Sequence, residues 1–281
     1  MDKYNMVLPR ITYSGVDALE NLRRVVAGCK KAAIFTDKGI LGAGLVDLPQ
    51  EIVRSAGVET VILSDIPAEP SYGAVQTLVD EFRTLGADII IAVGGGSVID
   101  TAKAIGYALA NPEFDIWDLF MGKATAKACA PVGAVLTISA AGSETSNSCV
   151  ITNEDGWLKK GVNYECSRPR FAIMNPALTC TLPPYQTASG GVDIMMHTME
   201  RYFSNTEHTE LLDRMSEGLL KTVMANTKKA LADPNDYDAR AELMWAGSLS
   251  HNGLTGCGND GGDFASHMIE HEIGGMFDVA H

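Results

Sequence analysis

The chain is short of positive charge, of aromatic side chains and of paired cysteines, and each shortage excludes something. Lys and Arg number 22 against 35 Asp and Glu, a formal net charge of −13 over 281 residues. A surface of that sign repels phosphate backbones and anionic lipid, which excludes nucleic-acid and membrane-surface roles. Aromatic residues make up 7%, too few for a base-stacking platform. The six cysteines, Cys29, Cys129, Cys149, Cys166, Cys180 and Cys257, never fall in C-x-x-C spacing, so a zinc knuckle and a dithiol redox motif are excluded. The N-terminal MDKYNMVLPR has no apolar signal core, and no uninterrupted apolar stretch is long enough to cross a bilayer. The expectation is a reduced, cytoplasmic protein with free thiols, most of them core filler, and with neither nucleic acid nor membrane as partner. Apolar residues are plentiful instead: 46% against 20% charged. That supports a sizeable core in one large domain or two ordinary ones.

The first half alternates short apolar runs with helical stretches. Ala32-Ala33-Ile34-Phe35 ends at Thr36-Asp37, Val61-Ile62-Leu63 at Ser64-Asp65, and Ile89 to Val93 at Gly94-Gly95-Gly96-Ser97. Their length and flanks are those of buried parallel strands. Between them, Tyr72 to Leu85 places Val75, Leu78, Val79, Phe82 and Leu85 on one helical face. This alternation predicts a parallel α/β sheet. Further strands are predicted at Ala134–Thr137 and Phe171–Met174, and a hairpin joins Cys149–Thr152 to the segment around Trp157 through the Asp155-Gly156 turn. From Pro183-Pro184 onward, strand signals vanish. The second proline can open a helix, and helical stretches follow near 191–203, 210–227, 238–248 and 263–274. The expected domains are therefore 1–183, α/β, and 184–281, helical.

Gly94-Gly95-Gly96-Ser97 lies between a strand and a helix. Glycines let backbone approach a ligand, and a helix N-terminus offers free N–H groups, which suits a diphosphate. The other reading is a plain tight turn. The pattern is neither G-x-G-x-x-G, since Ile99 stands last, nor a P-loop. Asp37, at the end of the first strand, can accept hydrogen bonds from ribose hydroxyls and repel a 2′-phosphate, or can simply form the turn.

Of the six histidines, His197 stands four residues after Asp193, His271 four after His267, and His281 ends the chain. Four-residue spacing puts two side chains on one helix face. A lone pair of this kind is often an ordinary helix contact. Two pairs and a further histidine behind a dinucleotide-type domain suggest a carboxylate-and-imidazole set for Fe²⁺, Zn²⁺ or Mn²⁺. Gly274-Gly275 is expected to end the last helix. His208 and His251 read as surface or capping residues.

Together these motifs resemble the iron-containing, group III alcohol dehydrogenases over essentially the whole chain. They are Gly94-Gly95-Gly96-Ser97-x-x-Asp100, Asp193-x-x-x-His197, and His267-x-x-x-His271 with His281 ten residues on. Butanol-dehydrogenase-type and lactaldehyde-reductase-type members are the most alike. The resemblance implies a Rossmann-like, parallel-sheet dinucleotide-binding domain followed by an all-helical metal domain, with the active site in the cleft. It implies Asp193, His197, His267 and His281 as metal ligands, for Fe²⁺ or alternatively Zn²⁺. It implies Gly94, Gly95, Gly96, Ser97 and Asp100 at the cofactor diphosphate, Thr137 and Ile138 beside the nicotinamide, and Lys160 at the cofactor ribose. Asp37 is implied to favour NAD over NADP. His271 is implied to be a non-ligand that relays the substrate proton or positions the nicotinamide. The implied reaction is reversible hydride transfer between NAD(H) and a small primary alcohol, diol or aldehyde, by a homodimer or higher homo-oligomer. The 137–144 stretch departs from several relatives, which carry a second threonine there. Two other readings remain: a zinc enzyme of the glycerol-dehydrogenase or dehydroquinate-synthase kind, and a non-catalytic oligomerising subunit. The stop at His281, directly after the Gly-rich IGGMFDVA, further suggests an incomplete helical domain with exposed apolar surface at its end.

Overall fold

The apolar runs form one parallel sheet, and their lack of polar alternation follows from burial on both faces. The computed structural model describes residues 11–64, 70–277, 279 and 281. The N-terminal decapeptide, Asp65, Asp278 and Ala280, all read above from sequence, lie outside the described residues. In chain order the elements are β1 (Thr12–Ser14), α1 (Leu22–Val25), β2 (Lys31–Phe35), α2 (Lys38–Gly42), α3 (Asp47–Ser55), β3 (Glu59–Leu63), α4 (Tyr72–Leu85), β4 (Ile89–Gly94), α5 (Gly96–Ala110), α6 (Ile116–Phe120), β5 (Val132–Leu136), β6 (Ser148–Asn153), β7 (Leu158–Asn163) and β8 (Ala172–Met174). Then come α7 (Pro184–Tyr202), α8 (Glu210–Ala232), α9 (Tyr237–His251) and α10 (Ala265–Phe277). Among the described residues no helix is long and apolar enough to cross a membrane.

The six-stranded sheet has the order β1-β8-β5-β4-β2-β3, with every pairing parallel. Successive strand residues point to opposite faces. Ala33, Phe35, Ile90 and Ala92 join one apolar layer with α4 and α5, while Ala32, Ile34, Ile89, Ile91 and Val93 join the other with α1 and α3. After β2 the chain steps outward to β3. After β4 it steps the opposite way, to β5 and then β8. The order thus reverses between β2 and β4, and ligands of open α/β sheets bind at the carboxyl ends of strands at such a point. Asp37 and the glycine loop follow those two strands.

Local chemistry sets the helix ends. Ser71 caps α4 through the Ala74 N–H, and Gly86 closes it at φ 60°. Pro184 opens α7 at its first turn, as the paired prolines suggest. β6 and β7 form the expected antiparallel hairpin. Edge strand β1 was not foreseen. Ile194, Val223, Ala230, Ala239, Leu243 and Ala246 form the core of the helical part.

Gly274 and Gly275 do not end α10, which runs on to Phe277. Both are buried inside the helix, where α10 crosses the hairpin. A Cβ on Gly275 would stand 2.8 Å from the Trp157 carbonyl oxygen, and one on Gly274 would stand 3.2 Å from the Lys159 ammonium and overlap the Glu270 carboxylate. These glycines serve close helix-to-hairpin packing and are not a stop signal. α10 also exposes Met268, Ile269, Ile273, Met276 and Phe277.

Candidate functional site

The carboxyl ends of β2 and β4 open into a cavity of about 1430 Å³ that continues to the helical part. Gly95, Gly96 and Ser97 line it. Gly95 is the cap residue of α5, so the helix directs its positive end and its first N–H groups into the cavity. This is how a chain of strongly negative net charge can hold a diphosphate. A Cβ on Gly95 would overlap Ile138, so only glycine lets the loop close on that wall. Gly94 is the buried last residue of β4, and its carbonyl accepts the Thr137 N–H at 3.1 Å. Thr137 and Ile138 both line the cavity, as does Asp37. Asp37 also forms the turn: its Oδ1 accepts the Ile40 N–H at 2.8 Å and caps α2.

Two of the expected cofactor residues, Gly94 and Lys160, are not among the residues lining the cavity. Side chains alternate along β7, and Lys159 rather than Lys160 is among the residues lining the cavity. Lys159 is buried and pairs with Glu270 at 3.3 Å. Asp100 does line the cavity, but both its oxygens serve the protein. Oδ1 accepts from the Ser143 hydroxyl, and Oδ2 accepts the Val150 N–H at 2.9 Å.

At the helical end, Asp193, His197 and His267 bring donor atoms within 4.8 Å of one another, all buried. Asp193 and His197 lie one turn apart on α7, and α10 delivers His267 from across the cavity. His197 Nδ1 donates to the Asp193 carbonyl at 3.1 Å and stands 3.1 Å from the Asp193 carboxylate, which leaves Nε2 with its lone pair. His267 Nε2 is 3.3 Å from Asp193 Oδ1. Burial alone would raise the Asp193 pKa, but His197, His267 and His281 hold the carboxyl well below its usual range. Burial lowers His197 and keeps it neutral despite Asp193. Burial also opposes protonation of His267, but the carboxylates of Asp193 and Glu200 outweigh it and shift His267 upward.

His281 stands at the edge of this cluster. Its Nε2 is 3.9 Å from Asp193 Oδ1, and its Nδ1 hydrogen-bonds the Glu270 carboxylate. Glu270, His271 and His281 form a second, more exposed group of donors. Burial, then the neighbouring His281 and Lys159, push His271 down to about 4, so it is neutral at physiological pH.

Several residues here had no clear signal in the sequence. Glu200 accepts the backbone N–H of His267 at 3.1 Å and pairs with its Nδ1, fixing the ring tautomer that frees Nε2. Its spacing could have exposed it: Asp193, His197 and Glu200 are at i, i+4 and i+7 on one helix face. His251 is no surface residue. It lines the cavity, its ring centroid lies 4.2 Å from that of His197, and Arg201 donates to its Nδ1 at 3.1 Å. Burial, with His197 and Arg201 beside it, keeps His251 neutral. Arg201 also donates to the carbonyls of His197 and Ser250 and stacks over Phe264. His208 is exposed, as expected.

The family comparisons agree with this geometry. The profile described as iron-containing alcohol dehydrogenase matches residues 9–176, and that of the Fe-containing alcohol dehydrogenase family, C-terminal, matches residues 187–281. NADH-dependent butanol dehydrogenase B of Clostridium acetobutylicum is 35% identical over 100% of this chain and 72% of its own length. The NADPH-dependent aldehyde reductase YqhD of Escherichia coli is 33% identical over 100% of this chain and 73% of its own. The crystal structure of NADH-dependent butanol dehydrogenase A from Thermotoga maritima superposes with a TM-score of 0.96 at 33% identity, covering 100% of this chain and 71% of that one. A parallel sheet with a glycine cradle, a buried aspartate–histidine cluster and matches over both halves lead to one assignment: the chain belongs to the iron-containing alcohol dehydrogenase family.

Proposed function

We propose that this chain transfers hydride reversibly between a nicotinamide dinucleotide and a small alcohol or aldehyde. The observation that carries the proposal is a single cavity with a helix-capped glycine cradle at one end and a buried cluster of one carboxylate and imidazoles at the other. The donor set fits a divalent transition-metal ion. Its oxygen and nitrogen atoms converge, and hydrogen bonds at Nδ1 of His197 and of His267 leave Nε2 available on each. We assign Asp193, His197, His267 and His281 as the ligands, with Fe²⁺ as the ion; Zn²⁺ accepts the same donors. When bound, the ion supplies Lewis acidity at the substrate oxygen and the nicotinamide supplies or takes the hydride.

The remaining steps belong to the protein. Gly95, Gly96 and Ser97 hold the diphosphate, while Thr137 and Ile138 flank the nicotinamide. Asp37 takes the ribose hydroxyls and opposes a 2′-phosphate, favouring NAD over NADP. One carboxylate offsets only part of a divalent ion's charge, so a bound ion would leave the site positive toward a developing alkoxide. His271, neutral and beside His281, accepts or returns the substrate proton. The division of labour follows the proposed domains, 1–183 and 184–281, supported by the change from sheet to helices at Pro184. The test is anaerobic: metal-loaded protein, NADH and a panel of short aldehydes, with metal quantified. NADH oxidation that depends on the aldehyde and stops with chelator is expected. Metal-replete protein that binds NADH yet oxidises it with no aldehyde of the panel overturns the proposal.

A further inference from the structure

About two turns beyond the glycine cradle, α5 carries a charged side chain with no exposed surface. Lys103 is 0% exposed. Its ammonium donates to the carbonyls of Ser143 at 2.8 Å, Ser146 at 3.1 Å and Ser148 at 2.7 Å, and it lies 2.9 Å from the Ser143 hydroxyl. Four oxygens converge on three N–H donors, which is what a buried ammonium requires. Asp100, three residues earlier on the same helix, is 3.7 Å from that ammonium. It accepts from the Ser143 hydroxyl and the Val150 N–H. The pair divides the polar groups of one segment: the carboxylate takes the donors, the ammonium takes the acceptors. Both ends of 143–150 are thereby fastened to one face of α5.

That segment is a wall of the cavity, lined by Ser143, Ser146, Ser148 and Val150. Its other side rests on α9. The Ser248 hydroxyl donates to Glu144, and the Thr145 hydroxyl lies 3.4 Å from the Ser248 carbonyl. The same helix holds His251 against His197. The wall thus spans the gap between the cradle and the metal cluster, where the nicotinamide must sit for hydride to reach a substrate at the cluster.

We infer that Asp100 and Lys103 are positioning residues that set the nicotinamide-side wall, and that neither is a cofactor contact; this rests on the cofactor reading of the cavity. The two oxygens of Asp100 are already occupied, and Lys103 is not among the residues lining the cavity. The adenosine-diphosphate half has its own support in Asp37 and Gly95–Ser97. Loosening the wall therefore weakens the nicotinamide half selectively.

The test measures the dissociation constants of NADH and ADP-ribose by calorimetry on the full chain, for wild type, Lys103→Met and Asp100→Asn. Lys103→Met leaves three carbonyls without their donor. It is expected to weaken NADH by about 10-fold or more, since misplacement near 1 Å has effects of that order or larger. ADP-ribose, which carries no nicotinamide, is expected to change by less than about 2-fold. Asp100→Asn, nearly isosteric, is expected to shift NADH in the same direction by roughly 5-fold, and it decides the matter where Lys103→Met fails to fold. Equal loss for both ligands, loss confined to ADP-ribose, or no change in either overturns the positioning role. A wild-type chain that binds neither ligand overturns the cofactor reading and the inference with it.

Discussion

Replacing Glu200 by Gln tests whether the metal cluster depends on a carboxylate outside the proposed ligand set. Glu200 is buried on α7, with Oε2 on the Nδ1 of His267 and Oε1 accepting the His267 backbone N–H at 3.1 Å. The ring bond places the proton on Nδ1 and leaves Nε2, 3.3 Å from Asp193 Oδ1, facing the cluster. Glutamine keeps the size and one acceptor. It cannot accept from both the ring and the backbone, because its second terminal atom is itself a donor. One bond is therefore lost and two N–H groups face each other. A hydrogen bond to a charged group contributes about 1.5–3 kcal/mol, which corresponds to roughly 10- to 100-fold in metal affinity, the range typical for outer partners of ligating histidines. The assay is an anaerobic competition titration of Fe²⁺ or Co²⁺ against a chromogenic chelator, with circular dichroism as the folding control. A folded variant whose affinity stays within about 2-fold of wild type refutes the reasoning.

Removing a proposed ligand is a harsher change: Asp193→Ala or His267→Ala should cost more than about 100-fold in metal affinity and lose turnover with it, and retention of both by metal analysis and rate rejects the assignment. His271→Ala should keep its metal but lose turnover by roughly 100-fold and change the pH profile; wild-type rate and profile with metal bound exclude a proton role. Asp37→Gly should raise the NADPH-to-NADH ratio of kcat/KM by about 10-fold, with helix α2 surviving because glycine at a cap costs only a few tenths of a kcal/mol; an unchanged ratio rejects the ribose role. Glu144 is fully buried, and burial raises its carboxyl above its ordinary 4.5 although the Ser248 hydroxyl opposes the shift. Its contribution to stability is thus present below about 4.5 and lost as pH rises through the folded value. Glu144→Gln, which cannot ionise, should gain in melting temperature relative to wild type as pH rises from about 5 to about 8, and a pH-independent difference refutes this.

Much of the α/β half was legible because its strands are buried on both faces. The run Ile89-Ile90-Ile91-Ala92-Val93 has no polar interruption, and all of it is buried. The extent of α4 was legible because Tyr72–Leu85 keeps one apolar face. Strand β1 was not, since Thr12–Ser14 is too short for a periodic signal and is held by pairing with β8. Gly274 and Gly275 misled for a physical reason. Glycine after a periodic stretch suits a left-handed C-cap, but it equally suits close approach of another backbone, and only the hairpin crossing α10 distinguishes the two.

The site divides along the same line. Spacing reports which side chains share one face of one element, so Asp193 with His197, and His267 with His271, could be paired in advance. It cannot report what another element brings opposite that face. His251 gained its role because α9 sets its ring against His197. Asp100 and Lys103 gained theirs because the segment after β5 folds back onto α5, forty or more residues along the chain. Lys159 rather than Lys160 lines the cavity because a strand alternates its side chains and the hairpin's register decides the parity, which a one-residue shift would invert. In each case the residue type carried the right chemistry, a buried imidazole, an ion pair or an ammonium. The missing information was the packing partner, which is why the motif residues were recognised and the residues that orient them were not.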